Sequence, residues 1–271
     1  MNRALPRRGG RVGPMASASS LRLVMGTLGA LGLLAGCGRT VAVPVTLADL
    51  QNRTLQFTLT DVDSLERDAP SGSHRFTLVF SADATCARLA EGVTATLNGQ
   101  PMKLEPGGVP DTGVGGRDVC VPPRATFDFD PTEWKNEPTE DLRVILQDDT
   151  RSVLLVLRAA KAKRRFFRNG GAPDSLRRGQ THPYVWLPET DTVEGSAEAS
   201  LIPRNGGAAA TLPVEQEGNT ALVSVPTGTV EGRYILRLSG TAVGQVLTCE
   251  GVAGCQGGLF HSEDVEVSVN P

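Results

Sequence analysis

Five cysteines and three histidines carry most of the chemical potential of this 271-residue chain. Cys37 stands apart at the end of an apolar run. The other four, Cys86, Cys120, Cys249 and Cys255, form an even set, which in an oxidising compartment reads as two disulfides with three possible connectivities. The favoured pairing is Cys86–Cys120 with Cys249–Cys255, one in each half of the chain. The second closes the loop "CEGVAGC", whose small inner residues permit a tight turn. A redox-active dithiol would be spaced C-x-x-C beside a cation that lowers a thiol pKa, and neither feature is present. A Cys/His metal centre would need histidines close by, whereas His74, His182 and His261 are scattered and only His261 falls near Cys255. No metal and no cofactor is therefore assigned.

Other hydrolytic or ligand-binding chemistry finds little support. The chain lacks G-x-S-x-G, H-E-x-x-H and a glycine-rich phosphate loop. An acid–base enzyme would have to gather His182 or His261 with carboxylates in a pocket. Acidic clusters at Asp61, Asp63 and Asp68, and at Asp128, Asp130 and Glu133, offer oxygen ligands of the kind Ca²⁺ takes, but neither has an EF-hand pattern. At alternate positions of a strand such acids are expected on one solvent face. Trp134, Tyr184 and Trp186 could stack on sugars, but aromatics are only 4% of the chain and are more economically placed in the core. The basic run Arg158, Lys161, Lys163, Arg164, Arg165 and Arg168 is a candidate patch for an anionic partner such as lipid or lipopolysaccharide phosphate. The competing expectation is a solvated strand edge running into a linker, with Phe166 and Phe167 stapling two domains.

The elements that must position these residues read as strands. "TLQFTLT" and "RFTLVFS" alternate apolar and polar residues, with Leu55, Phe57 and Leu59, then Phe76, Leu78 and Phe80, on one face. "VTATLNGQPMKL" flanks Asn98-Gly99, the pair that tolerates positive φ at both centres of a type I′ hairpin turn. "ATFDF", "LRVILQ" and "SVLLVL" follow. Residues 158–180 break the rhythm with Gly170-Gly171 and Pro173, and a second series of short strands runs from "PYVWL" to "DVEVSV". No convincing amphipathic helix is present. Each half yields seven candidate strands, the number of an immunoglobulin-like sandwich.

The N-terminus explains Cys37. Arg22 precedes the apolar stretch "LVMGTLGALGLL", too short for a stable transmembrane helix, and Leu34-Ala35-Gly36-Cys37 follows. This segment resembles the lipobox of bacterial lipoproteins. The resemblance implies a diacylglyceryl thioether on Cys37, cleavage before it, and acylation of the new amine. Two or three acyl chains, at about 0.8 kcal/mol per buried CH₂, make a lasting anchor. Gly38 in place of Asp implies outer-membrane sorting in enteric bacteria. Met15 also opens a typical signal, so translation can start at Met1 or Met15. The formal charge of −3 includes five arginines and no acid in residues 1–36; without them 22 basic residues face 30 acidic ones, a charge of −8. Such a body repels phosphate backbones, so nucleic acid is excluded as a partner.

"PTGTVEGRYILRLSG" resembles the late strands of bacterial immunoglobulin-like and fibronectin-like domains, with Gly232 and Tyr234 in the step where a tyrosine hydroxyl ties back to a corner. The Cys…Trp…Cys arrangement of antibody domains is missing. The expectation is an all-β chain: signal peptide 1–36, lipidated tether 37–52, immunoglobulin-like β-sandwich domains at 53–160 and 181–271, and a linker at 161–180. Its function is expected to be non-catalytic binding or adhesion at the outer membrane, with an envelope protein or surface glycan as partner. The alternatives are a structural subunit of an envelope or secretion complex, joined by strand addition, and an envelope hydrolase.

Overall fold

A computed structural model describes residues 42–65, 72–80, 86–109, 119–136, 140–170, 172 and 174–271. Cys37 and the signal segment lie outside them, as does Asp68. The chain runs through β1 (Val43–Val45), a 3₁₀ turn, β2 (Thr54–Asp63), β3 (His74–Phe80), β4 (Ala87–Leu89), β5 (Thr94–Leu97), β6 (Gln100–Pro101), β7 (Lys103–Glu105) and β8 (Arg124–Asp128). One short helix, α1 (Pro131–Asn136), precedes β9 (Leu142–Gln147), β10 (Ser152–Leu157), β11 (Arg165–Arg168), β12 (Ser175–Arg177) and β13 (Thr181–Leu187). Then come β14 (Val193–Pro203), β15 (Ala210–Leu212), β16 (Val214–Glu217), β17 (Thr220–Ser224), β18 (Gly232–Val243), β19 (Val246–Glu250) and β20 (Gly254–Asn270). The all-β expectation holds.

One long sheet, ordered β15-β14-β18-β20-β2-β3-β8-β7 with β12 also on β20, shares a continuous apolar core with two shorter sheets, β19-β10-β9-β5-β6 and β11-β13-β17-β16. The period-two alternation of β2 and β3 puts Leu55, Phe57, Leu59, Phe76, Leu78 and Phe80 into that core, each at most 2% exposed. Trp186 and Tyr184 are likewise enclosed.

The expected division at 161–180 differs from what the strands do. β2 pairs in parallel with β20 from Thr54↔Gly254 to Asp63↔Glu263, and β19 of the second half pairs with β10 of the first. The expected linker carries β11 and β12, so residues from both halves build one unit. Local patterning marks strands but not which strands meet, and here the two halves complete each other's sheets.

Several local expectations are met in detail. Asn98 and Gly99 both have positive φ, 48° and 83°, across the β5–β6 turn. The Tyr234 hydroxyl donates to the Val230 carbonyl at 2.8 Å, the tie-back of a tyrosine corner. Cys86–Cys120 and Cys249–Cys255 are the bonded pairs.

Candidate functional site

The sharpest concentration of ionisable groups lies inside the core, in a row across adjacent strands. Register aligns His74 of β3, Asp61 of β2, His261 of β20 and Gly240 of β18. Asp61 continues the face of Leu55, Phe57 and Leu59, so it points inward and is 2% exposed; the expected solvent face is corrected. Its carboxylate accepts from His74 Nδ1 at 2.9 Å, from Trp134 Nε1 at 2.9 Å and from His261 Nδ1 at 2.8 Å. On the far side of His261, Nε2 faces Glu263 Oε2 at 3.5 Å, and Glu263 Oε1 in turn accepts from the Phe166 amide. Trp134 stacks on His74, while Phe166 and Trp186 pack against His261. Gly240 makes this possible, because a Cβ there would stand 3.0 Å from the Trp186 ring.

The electrostatics follow from who faces whom. Burial disfavours a charge on His261, but both ring nitrogens point at carboxylates, and Asp61 and Glu263 together raise its pKa to about 9. Burial also works against the Asp61 carboxylate, yet the hydrogen bonds from His261 and His74 and the charge on His261 outweigh it and hold its pKa far below the usual range. At neutral pH the row therefore contains a buried imidazolium–carboxylate pair. A raised histidine pKa contributes stability that is complete below about 6.5 and is lost as pH climbs through 9, on the order of 3 kcal/mol. Urea unfolding at pH 6 and pH 10 should show this loss, and His261→Gln should flatten it; an equal alkaline slope in that variant would remove His261 as the cause.

A second buried knot lies beside the first. Arg164 is 1% exposed, donating from Nε to Asp191 at 2.9 Å and from Nη1 to the Ala160 and Ala162 carbonyls. Trp186 Nε1 donates to the same Asp191 oxygen. Arg164 therefore does not belong to an anionic-partner patch. The reason is alternation in 162–167: Ala162, Arg164 and Phe166 face inward, Lys163, Arg165 and Phe167 outward. Arg168 is turned to His182 Nδ1 and to the carbonyls of Ala172 and Ser175. Lys161 pairs with Glu140 at 3.0 Å. Of the basic run, Arg158, Lys163 and Arg165 stand in solvent.

His182 is 5% exposed, and its pKa is pushed down by burial and by the Arg168 charge, so it is neutral. The three histidines do not converge: His74 and His261 share Asp61, while His182 sits in its own knot. The second acidic cluster is spent on local structure. Asp128 pairs with Arg75 at 2.6 Å, and Asp130 caps α1 through the Thr132 and Glu133 amides. Among the described residues, Asp61, Asp63 and His74 each place a possible metal-ligand atom within 4.8 Å of the others.

The opposite face of the long sheet carries what sequence reasoning missed. Strands β2, β14, β18 and β20 line a shallow basin of about 730 Å³ over Gln56, Thr58, Thr60, Thr241, Gln256 and Phe260. Gly257 and Gly258 form part of its floor and Glu194 its rim. The outward positions of "TLQFTLT" were the available signal: Gln56, Thr58 and Thr60 alternate with the core residues and have no apolar partner to seek.

No protein-family model matches this chain, and no curated protein matches it. Among solved structures it is similar to a Bacteroides ovatus protein, SGBP-B of the mixed-linkage glucan utilization locus in complex with a mixed-linkage heptasaccharide, at 14% identity and a TM-score of 0.19. The match covers 81% of this chain and 44% of that one, so the chain spans less than half of that protein's length. At that TM-score the two backbones do not superpose as wholes, and nothing about this chain follows from that protein's ligand.

Proposed function

We propose that this protein is a lipid-anchored, extracytoplasmic binding module that engages a neutral surface glycan through the outer face of its long sheet. The observation that carries the reading is the chemistry of the basin over β2, β14, β18 and β20. Threonine hydroxyls at 58, 60 and 241 and the amides of Gln56 and Gln256 supply donors and acceptors, and the half-buried Phe260 ring supplies an apolar surface. Sugars present hydroxyl edges and C–H faces, which this combination matches. The two ends of the long sheet are β15 and β7, strands of three residues each, which leaves little backbone for strand addition to a partner complex. His182 and His261 favour a non-catalytic role, since both nitrogens of each are taken up by neighbouring groups in the interior.

Two experiments test the parts separately. Cys37→Ser should release the chain from carbonate-washed membranes; retention would contradict the anchor. Affinity electrophoresis through neutral polysaccharides should retard the Cys37→Ser chain. Phe260→Ala should weaken that binding about tenfold, the value of a stacking contact of roughly 1.4 kcal/mol, without shifting the unfolding midpoint. Unchanged retardation in Phe260→Ala would move the site elsewhere.

A further inference from the structure

His74 is the unexplained member of the buried row. Its side chain is fully enclosed, and Nδ1 lies 2.9 Å from Asp61 Oδ1, which makes Nδ1 the donor and leaves a lone pair on Nε2. That Nε2 is buried and has no hydrogen-bond partner among the described residues. A desolvated acceptor with no partner is unfavourable, and in native proteins such an atom calls for an ion or a water. An imidazole held by a carboxylate through one nitrogen, with the other bare, is also how metal-binding histidines are oriented.

Two carboxylates lie beside the same imidazole. Asp61, Asp63 and His74 each bring a ligand atom within 4.8 Å of the others. Asp63 follows Asp61 by two positions and so shares its face of the sheet. It is half-buried where Asp61 is enclosed, so the cluster runs from the core toward the C-terminal end of β2. Asp61 already accepts from His74, Trp134 and His261, which suits it to orient the imidazole.

We propose that His74 Nε2 and the Asp63 carboxylate, with Asp61 behind them, bind a divalent transition-metal ion. A nitrogen-plus-carboxylate donor set suits Zn²⁺, Co²⁺ or Mn²⁺ rather than Ca²⁺, which takes oxygen ligands. Water completes the coordination on the Asp63 side.

The test uses the full chain carrying Cys37→Ser, so that no free thiol competes. After chelator treatment it is titrated with Zn²⁺ by calorimetry and with Co²⁺ by tryptophan fluorescence, since Trp134 stacks on His74 with ring centroids 5.5 Å apart. One equivalent should bind and quench Trp134. Asp63→Asn and His74→Gln should each weaken binding at least about tenfold. Should His74→Gln fail to unfold cooperatively, Asp63→Asn decides alone. No saturable binding, wild-type affinity in Asp63→Asn, or binding that leaves Trp134 fluorescence unchanged would each overturn the proposal and leave a buried water as the partner of Nε2.

Discussion

Replacing Asp61 with alanine is expected to destabilise the protein by about 3–5 kcal/mol, the usual consequence of leaving one partner of a buried ion pair alone. Three donors lose their acceptor at once: His74 Nδ1, Trp134 Nε1 and His261 Nδ1. His261 would retain only Glu263, at 3.5 Å, and would shed its proton nearer neutrality. The loss is a large part of the roughly 5–15 kcal/mol that holds a domain folded, so Asp61→Asn serves as the milder companion. Urea unfolding at pH 6 measures both. The double variant Asp61→Ala with His261→Gln should recover part of the loss, because the orphaned cation is gone. A single variant within about 1 kcal/mol of the parent would show that the row is not stabilising in this way.

The second large effect needs no charge. At Gly257 an added Cβ would lie 1.9 Å from the Phe57 carbonyl oxygen, which belongs to the backbone of the neighbouring strand and cannot rotate away. Gly257→Ala must therefore push β2 and β20 apart at the register pair Phe57↔Gly257. The expected cost is about 3 kcal/mol or more, the upper range for overpacking. Gly254→Ala is the control on the same strand, since its Cβ would meet nothing closer than Thr54 Oγ1 at 3.5 Å. It should stay within about 0.5 kcal/mol of the parent. Equal stability of the two variants would mean that the strands separate without penalty at that point.

How much of this was legible follows from the range of each signal. Alternation, the Asn98-Gly99 turn, the Tyr234 corner and the cysteine pairing are short-range or arithmetical, and the sequence carries them openly. The inward turn of Asp61 was also present in the period of "TLQFTLTDVD", which runs Leu55, Phe57, Leu59, Asp61 on one face; the charge argued for solvent and the period prevailed. Arg164 repeats the lesson between Ala162 and Phe166. What had no local signal was the meeting of β2 with β20. Asp61 and His261 are 200 residues apart, and nothing near either one names the other. The candidate site was therefore readable residue by residue, but not as a site.

That pairing governs the order of events during synthesis. A chain made from its N-terminus outward completes β2 and β3 early, yet β2 keeps one edge open until β20 appears some 200 positions later. Closing so long a loop is entropically slow, and the contact is among the most non-local a domain can contain. The early strands must wait with an unpaired edge, the condition in which strands most readily join the wrong neighbour. Once β20 seats, it touches β2, β18 and β12 together, so the last long strand to arrive locks both halves in one step.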